Sequence, residues 1–370
     1  MSRWQPQRTL SWLQYHVSRT VLVVWALFRI DVFIFKSGES IYGSQIDQRL
    51  FRAFNKLIIH AFYGSDERPP YLNPGVNEGG DAGRLAQKVR AQRVRMDALR
   101  AYADITICNP LSAHFQTGRI CVSQVFGTPI DQNKLAARHG VVGAEPSAPD
   151  HVRILHAPSS VDLKGTDVVR REIASLKQRG YPVQYIEVTG RSNAEVLKEI
   201  ELCDFVVDEL YSDDYGAVLA TEAVVLGRPV IVAGYGREEL DRFVPAEAVL
   251  PALYGHPDDF AAVLEKMVAD PAFRAEQRRK AEAFAPRRHA ISVAERFIQL
   301  IEGRAPDDWF FDAGDLRYVH GVAGHETKIM RRIGQLVDAF GSGALCLDDK
   351  PQLRDRLVAF AQAESRGRAA

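Results

Sequence analysis

The chain has 370 residues, too many for one ordinary core and enough for two domains of roughly 150 to 200 residues each. Lysine plus arginine and aspartate plus glutamate both number 47, so no net field draws the whole protein to nucleic acid or an acidic membrane, and any electrostatic work is local. The four cysteines, Cys108, Cys121, Cys203 and Cys346, are scattered without the paired spacing of a metal site and fit a reducing, cytoplasmic setting.

The most apolar run, Val21 to Phe28 (VLVVWALF), is eight residues long and is followed by Arg29 and Asp31, whereas a membrane span needs about 20 apolar residues. A helix covering a sheet is the favoured reading, with peripheral membrane contact through this amphipathic N-terminus left open. Strand candidates follow at 31–35 (DVFIF), 56–62 (KLIIHAF), 104–108 (DITIC) and 119–125 (RICVSQV), which suggest an α/β lobe over 1–145. Between them, Arg84 to Arg100 carries six basic residues. A solvated helix face is favoured there over a patch for phosphate or membrane. Residues 139–151 are rich in glycine, proline and small side chains and read as a linker.

From Ile154 the pattern becomes regular. The strand VRILH, a helix over Thr166 to Gln178, the strand PVQYIEV, a helix from Asn193, the strand DFVVD, the helical YGAVLATEAVVLG and the strand RPVIVA follow one another. Short strands alternating with longer helices mean right-handed crossovers and a parallel sheet, so 151–303 is expected to be a doubly wound α/β domain. Residues 304–370 are expected to be a mostly helical extension.

Ligands in such sheets settle outside the carboxyl ends of the strands. Lys164 and Gly165 fall in a loop of that kind, just before the helix that opens at Thr166. An anion there would meet a fixed positive charge and a helix dipole. The stretch DELYSDDYGAVLATEAVVLG places Asp213 and Asp214 at an expected helix start near Tyr215, with Glu222 two turns further in and Gly216 freeing backbone amides. One anion served by Lys164 and by this second terminus would be a diphosphate, and nearby carboxylates suit hydroxyl groups of a sugar and a ribose.

The motifs ILHAPSS, LKGTD, CDFVVDEL and D-x7-E, followed by HPDDFAAVLEKMVADPAFR, occur in that order over about 152–302. They resemble the nucleotide-binding domain of GT-B glycosyltransferases of family 4. The resemblance implies a fold of two Rossmann-like lobes, here with a shortened N-terminal lobe and a helical C-terminal extension. It also implies a cytoplasmic, retaining enzyme that needs no metal and takes a nucleotide-diphosphate sugar as donor. The acceptor would be a hydroxyl of a glycan or a lipid-linked molecule.

By the same resemblance, Lys164 contacts the donor diphosphate, Asp214 holds hydroxyls of the transferred sugar and Glu222 binds the ribose. The backbone of Gly216 and Ala217 stabilises the departing phosphate, and Ser159 and Gly165 border it. Ser159 stands where the family often has an arginine. FYGSDER resembles the family's FHGSD-type turn, which makes Tyr63, Gly64 and Asp66 acceptor-side candidates with tyrosine in the usual histidine position. VFGTPID at 125–131 resembles its NPVD-type segment, and His60 is expected to be a core residue. Two other classes compete: a GT-B-like protein that binds nucleotide or glycan without turnover, beside an active transferase, and a GT-B epimerase or phosphorylase.

Overall fold

Two five-stranded sheets, one all parallel and one parallel but for its last strand, face each other across a cleft. The computed structural model describes residues 6–42, 45–73, 81–130, 151–161 and 163–369; most of the proposed linker lies outside the described residues. The first lobe begins with helix α1 (Pro6–Arg29), strand β1 (Val32–Lys36), helix α2 (Ile46–Ala53), strand β2 (Leu57–Ala61), helix α3 (Ala82–Arg100) and strands β3 (Ile105–Cys108) and β4 (Arg119–Val122). The four strands run parallel in sequence order. Their inward residues are apolar, as in Ile58, Ile59, Ile107 and Val122, which a sheet buried on both faces requires.

Helix α3 departs from the solvated basic face expected of it. Arg93 pairs with Asp97 and Asp349, Arg95 donates to the Asp66 and Ser37 carbonyls, and Arg100 bonds Thr117 Oγ1 at 2.7 Å. Three of the six cations therefore pin the helix to its neighbours. Charge counting along a helix cannot foresee this, because the partners come from distant segments.

The second lobe contains β5 (Val152–His156), α4 (Thr166–Gln178), β6 (Val183–Glu187), α5 (Asn193–Leu202), β7 (Phe205–Val207), α6 (Val218–Val225), β8 (Val230–Ala233), α7 (Arg237–Phe243), β9 (Leu253–Gly255) and α8 (Phe260–Ala269). Its all-parallel order is β6-β5-β7-β8-β9. The winding direction reverses between β5 and β7. The crevice that opens at such a reversal, outside the strands' carboxyl ends, is where this architecture places ligands.

After α9 (Pro271–Phe284) and α10 (Ala290–Ile301) the chain returns to the first lobe. Strand β10 (Phe310–Asp312) adds antiparallel to β4, and helices α11 (Glu326–Phe340) and α12 (Pro351–Ala369) pack on each other, with α11 also against α3. Lys350, at the start of α12, donates to the carbonyls of Ala113, His114 and Gln116. These carbonyls lie at the end of a short 3-10 helix, where acceptors are left exposed. The helical extension over 304–370 thus completes the first lobe's sheet and core. The whole is two Rossmann-like α/β lobes with helical extensions, an arrangement consistent with a GT-B fold.

Candidate functional site

The cleft between the lobes contains a cavity of about 330 Å³ whose wall includes Lys164, Glu209, Asp213, Asp214, Gly216 and Ala217 of the second lobe and Tyr63, Arg68 and Asn109 of the first. It sits at the β5/β7 reversal. The loop after β5 carries Lys164 and the loop after β7 carries the acids, so the topology alone brings them together.

His156, the last residue of β5, fixes the first of these loops. Its Nδ1 lies 2.8 Å from the Val207 carbonyl, to which it must donate, and its Nε2 accepts from Thr166 Oγ1 at 2.9 Å. One buried neutral imidazole thereby ties β5, β7 and the start of α4. Gly165 caps α4 at φ +69°, where a Cβ would stand 2.9 Å from the Leu210 Cβ. Left-handed backbone and close approach both call for glycine here.

Lys164 Nζ is held by two carboxylates, Asp208 Oδ1 at 3.3 Å and Glu209 Oε2. Burial pulls the ammonium's pKa down, and these two charges more than reverse it, so the amine stays protonated. The other oxygen of Asp208 accepts the Ala217 N–H at 3.0 Å. A single carboxylate thus spans the amine and the tip of α6. Sequence reasoning quoted the DEL segment without assigning Asp208 or Glu209, although two acids directly after an apolar strand, facing a loop lysine, were a usable signal.

The helix start expected near Tyr215 is corrected to Val218, with Ala217 as its extended N-cap and no acid in the first turn. Gly216 at φ +147° keeps the backbone out of the helix, so Asp213 and Asp214 lie ahead of the helix and Asp208, from the preceding strand end, is the acid that meets its tip. A Cβ on Gly216 would lie 2.3 Å from the Ala220 Cβ. We expect Gly216→Ala to destabilise the second lobe by about 1 to 3 kcal/mol, from overpacking plus a strained φ, measured as a shift in the urea midpoint.

Asp214 accepts the Tyr215 N–H at 2.7 Å. Burial, seconded by Asp213, pushes its carboxyl up to about 7 against the pull of Gln124, Tyr215 N–H and Arg288. It stands where the main cavity meets a second one of about 230 Å³ lined by Gln124, Thr128, Leu250 and Arg288. Tyr63, Gly216 and Ala217 border both cavities. Glu222 lines neither cavity: it is buried on α6 behind Thr221 of the second cavity's wall, accepts Asn193 Nδ2 at 2.8 Å, and has its pKa raised by burial and by Asp208. Ser159 lies on the cavity wall.

On the first lobe, Tyr63 is exposed at the rim. Asp66 uses its carboxylate on the Tyr63 N–H at 3.0 Å, which shapes the turn, and Gly64 at φ +117° leaves room for Arg68 beneath it. Arg68, at the end of the quoted FYGSDER turn, went unassigned in the sequence. It is buried and donates through Nε to Asp213 Oδ2 at 3.0 Å and through a second, shorter bond to the same atom. Asn109 Nδ2 adds a bond to the Asp213 carbonyl at 2.9 Å, and Gly236, just before α7, packs against Leu111 of the first lobe. These contacts join the two lobes beside the cavity. His60 is a core residue, fully buried, with burial lowering its pKa to about 4.

Behind Arg68, Glu67 is buried and accepts from Ser112 Oγ and from Gln116 Nε2 at 3.0 Å. Burial leads the shift that carries its pKa up to about 8. Because the folded state holds this proton more tightly than the unfolded chain, stability falls as pH rises from about 4.5 to about 8. In Glu67→Gln that part of the decline should vanish, which chemical denaturation across this pH range will show.

Among the described residues no group of three or more His, Cys, Asp or Glu could hold a metal ion, and no helix is long and apolar enough to cross a membrane. No family model and no curated protein matches the chain. Solved structures similar to it include sucrose-phosphate synthase from Thermosynechococcus elongatus, at 16% identity over 74% of this chain and 73% of that one, with a TM-score of 0.46. HepE of Anabaena in complex with UDP and glucose is 13% identical over 77% and 80%, with a TM-score of 0.45. A UDP-forming α,α-trehalose-phosphate synthase from Burkholderia xenovorans is 11% identical over 78% of each chain, with a TM-score of 0.44. These are distant likenesses, and the sheet order and the cleft carry the description of the fold without them.

Proposed function

We propose that the protein is a glycosyltransferase that moves a sugar from a nucleotide-diphosphate donor to a hydroxyl of a glycan or lipid-linked acceptor, without a metal and with retention of configuration. The observation that carries this is the Asp208 carboxylate, which touches both Lys164 Nζ and the Ala217 N–H. An amine and a helix-tip amide that reach one carboxylate can also reach one pyrophosphate. They would stabilise charge that develops as the phosphate departs, which is where catalysis gains most. The diphosphate must then take Lys164 from Glu209, which can turn to Ser212 Oγ, already its donor at 2.8 Å. Asp214, between the two cavities, is the residue for sugar hydroxyls, and Glu222 the one for the ribose. Family 4 is the finer assignment that the LKGTD and D-x7-E motifs support.

A second reading, nucleotide or glycan binding without turnover, is favoured by one feature: the cleft's own acids already answer both Lys164 and Arg68. The test is a melting panel with UDP, GDP and ADP, followed by assay of nucleotide release from the matching sugar donors. At one hundred times Kd a ligand adds about 2.7 kcal/mol, so one nucleotide should raise the melting temperature by several degrees. Release from its sugar establishes transfer or hydrolysis, a shift without release establishes the second reading, and no shift with any of the three removes both. Glu222→Gln should leave the melting temperature of the free chain nearly unchanged and weaken the preferred nucleotide by about 1 kcal/mol through the ribose, read by calorimetry.

A further inference from the structure

Helix α1 is apolar on the side that no part of the described chain covers. Its inner face, Val23, Ala26 and Leu27, packs with Phe35, Phe51 and Ile58 in a small core of its own. Its outer face presents Val17, Val21, Leu22, Val24, Trp25 and Phe28, all about half exposed or more, with Phe28 at 73%. A soluble surface helix would carry polar residues there. Helix α2 extends the patch through Ile46, Leu50 and Phe54, spaced at one helical turn and exposed, and Phe54 meets Phe28 edge to face at 6.5 Å.

Charge decides what this face is built to meet. Over Pro6–Arg29 the sequence has three arginines and no acid, in a chain whose charges otherwise balance. On α2, Arg49 and Arg52 are exposed, whereas Asp47 is buried and holds the Ile41 N–H at 2.6 Å. Asp31, at the near end of β1, is paired with Lys56 at 2.8 Å. Arg49 donates to the Tyr102 hydroxyl at 2.7 Å and Arg52 to the Ala101 carbonyl, both neutral groups, so the apolar surface is rimmed by positive charge that these partners do not neutralise. A second copy laid symmetrically on this face would set arginine against arginine. Trp25 and Tyr15 are exposed on the same helix, and such rings settle at the level of lipid headgroups.

We propose that the α1–α2 face docks on an anionic lipid bilayer, with α1 lying in the interfacial plane, its apolar residues at the acyl boundary and its arginines on lipid phosphates. At about 36 Å, the helix is long enough to lie along the surface. The patch sits on the β1 edge of the first lobe, and the ammonium of Lys36 at the end of β1 stands 5.6 Å from the ring of Tyr63 at the cleft rim. Docking through this face thus places the cleft mouth near the membrane.

The full chain is to be floated with vesicles of phosphatidylcholine alone and with equimolar phosphatidylcholine and phosphatidylglycerol. Binding should be about tenfold or more stronger to the anionic vesicles and should fall with added salt. Trp25→Ser combined with Phe28→Ser should abolish flotation while circular dichroism and any nucleotide melting shift persist, which separates this inference from that on the cleft. Independently of any variant, brominated acyl chains should quench the wild-type tryptophan fluorescence. Equal binding to both vesicle types, absence of quenching, or a concentration-dependent dimer abolished by the same double substitution would each overturn the proposal, the last in favour of a second copy.

Discussion

Replacing Lys164 by alanine should cost both ligand and fold. In the folded chain this ammonium is the counter-charge of Asp208 and Glu209, and Asp208 is almost wholly buried, with a side chain 1% exposed. Removing one partner of a buried pair leaves the other's charge uncompensated, at about 3 to 5 kcal/mol. Part of that is recovered here because burial already drives the pKa of Glu209 upward, so protonation of this acid can relieve the repulsion. The expected result is a lower melting temperature for Lys164→Ala that recovers partly on acidification. For the nucleotide, loss of a charge-assisted bond should weaken binding by about 1.5 to 3 kcal/mol, measured by calorimetry at a temperature where the variant is folded. Glu209→Gln supplies the opposite sign: it removes the carboxylate that competes with phosphate for the amine and should tighten nucleotide binding several-fold. If both substitutions left affinity unchanged, Lys164 would be a structural cation only.

Arg68→Met should be the most damaging single change at the lobe interface. The guanidinium lies beneath the Gly64 turn and joins the first lobe to Asp213 of the second, both side chains being under a tenth exposed. Burial lowers the guanidinium's pKa, and Asp213 leads the charges that more than offset it, so the guanidinium stays protonated. Truncating it leaves Asp213 buried and unanswered, again about 3 to 5 kcal/mol. Asn109 still bonds the Asp213 carbonyl, and Leu111 still packs on Gly236, so the lobes stay associated more loosely. Urea unfolding should show a lower midpoint, and small-angle scattering a larger radius of gyration. Replacing Asp213 by asparagine as well should recover part of the loss, since the stranded charge goes with it.

The second lobe was legible in the sequence because its strands and helices alternate with clear periods, and Gly165 and Gly180 punctuate them. The LKGTD loop and the acids after DFVVD could be placed at the strand ends from topology alone. What pattern could not show was which acid does what. Asp208 reaches the Ala217 N–H because Gly216, at a positive φ, holds the chain out of the helix until Val218, and the nearness of Ala220 leaves no room there for a side chain. Arg68 was invisible for a related reason: its partner is 145 residues away. The tail read as an appendage because β10 is three residues long and its pairing with β4 is set by position, not composition. The outer face of α1 was visible as an apolar run, but only packing revealed which half of it is left uncovered.

The most direct measurement is a crystal structure of the chain with the nucleoside diphosphate that best stabilises it. The phosphates should lie within hydrogen-bond distance of Lys164 Nζ and of the Gly216 or Ala217 N–H, with Glu209 turned away from the lysine. Phosphates bound elsewhere, with Asp208 and Glu209 still gripping Lys164, would contradict the assignment of this crevice as a donor site.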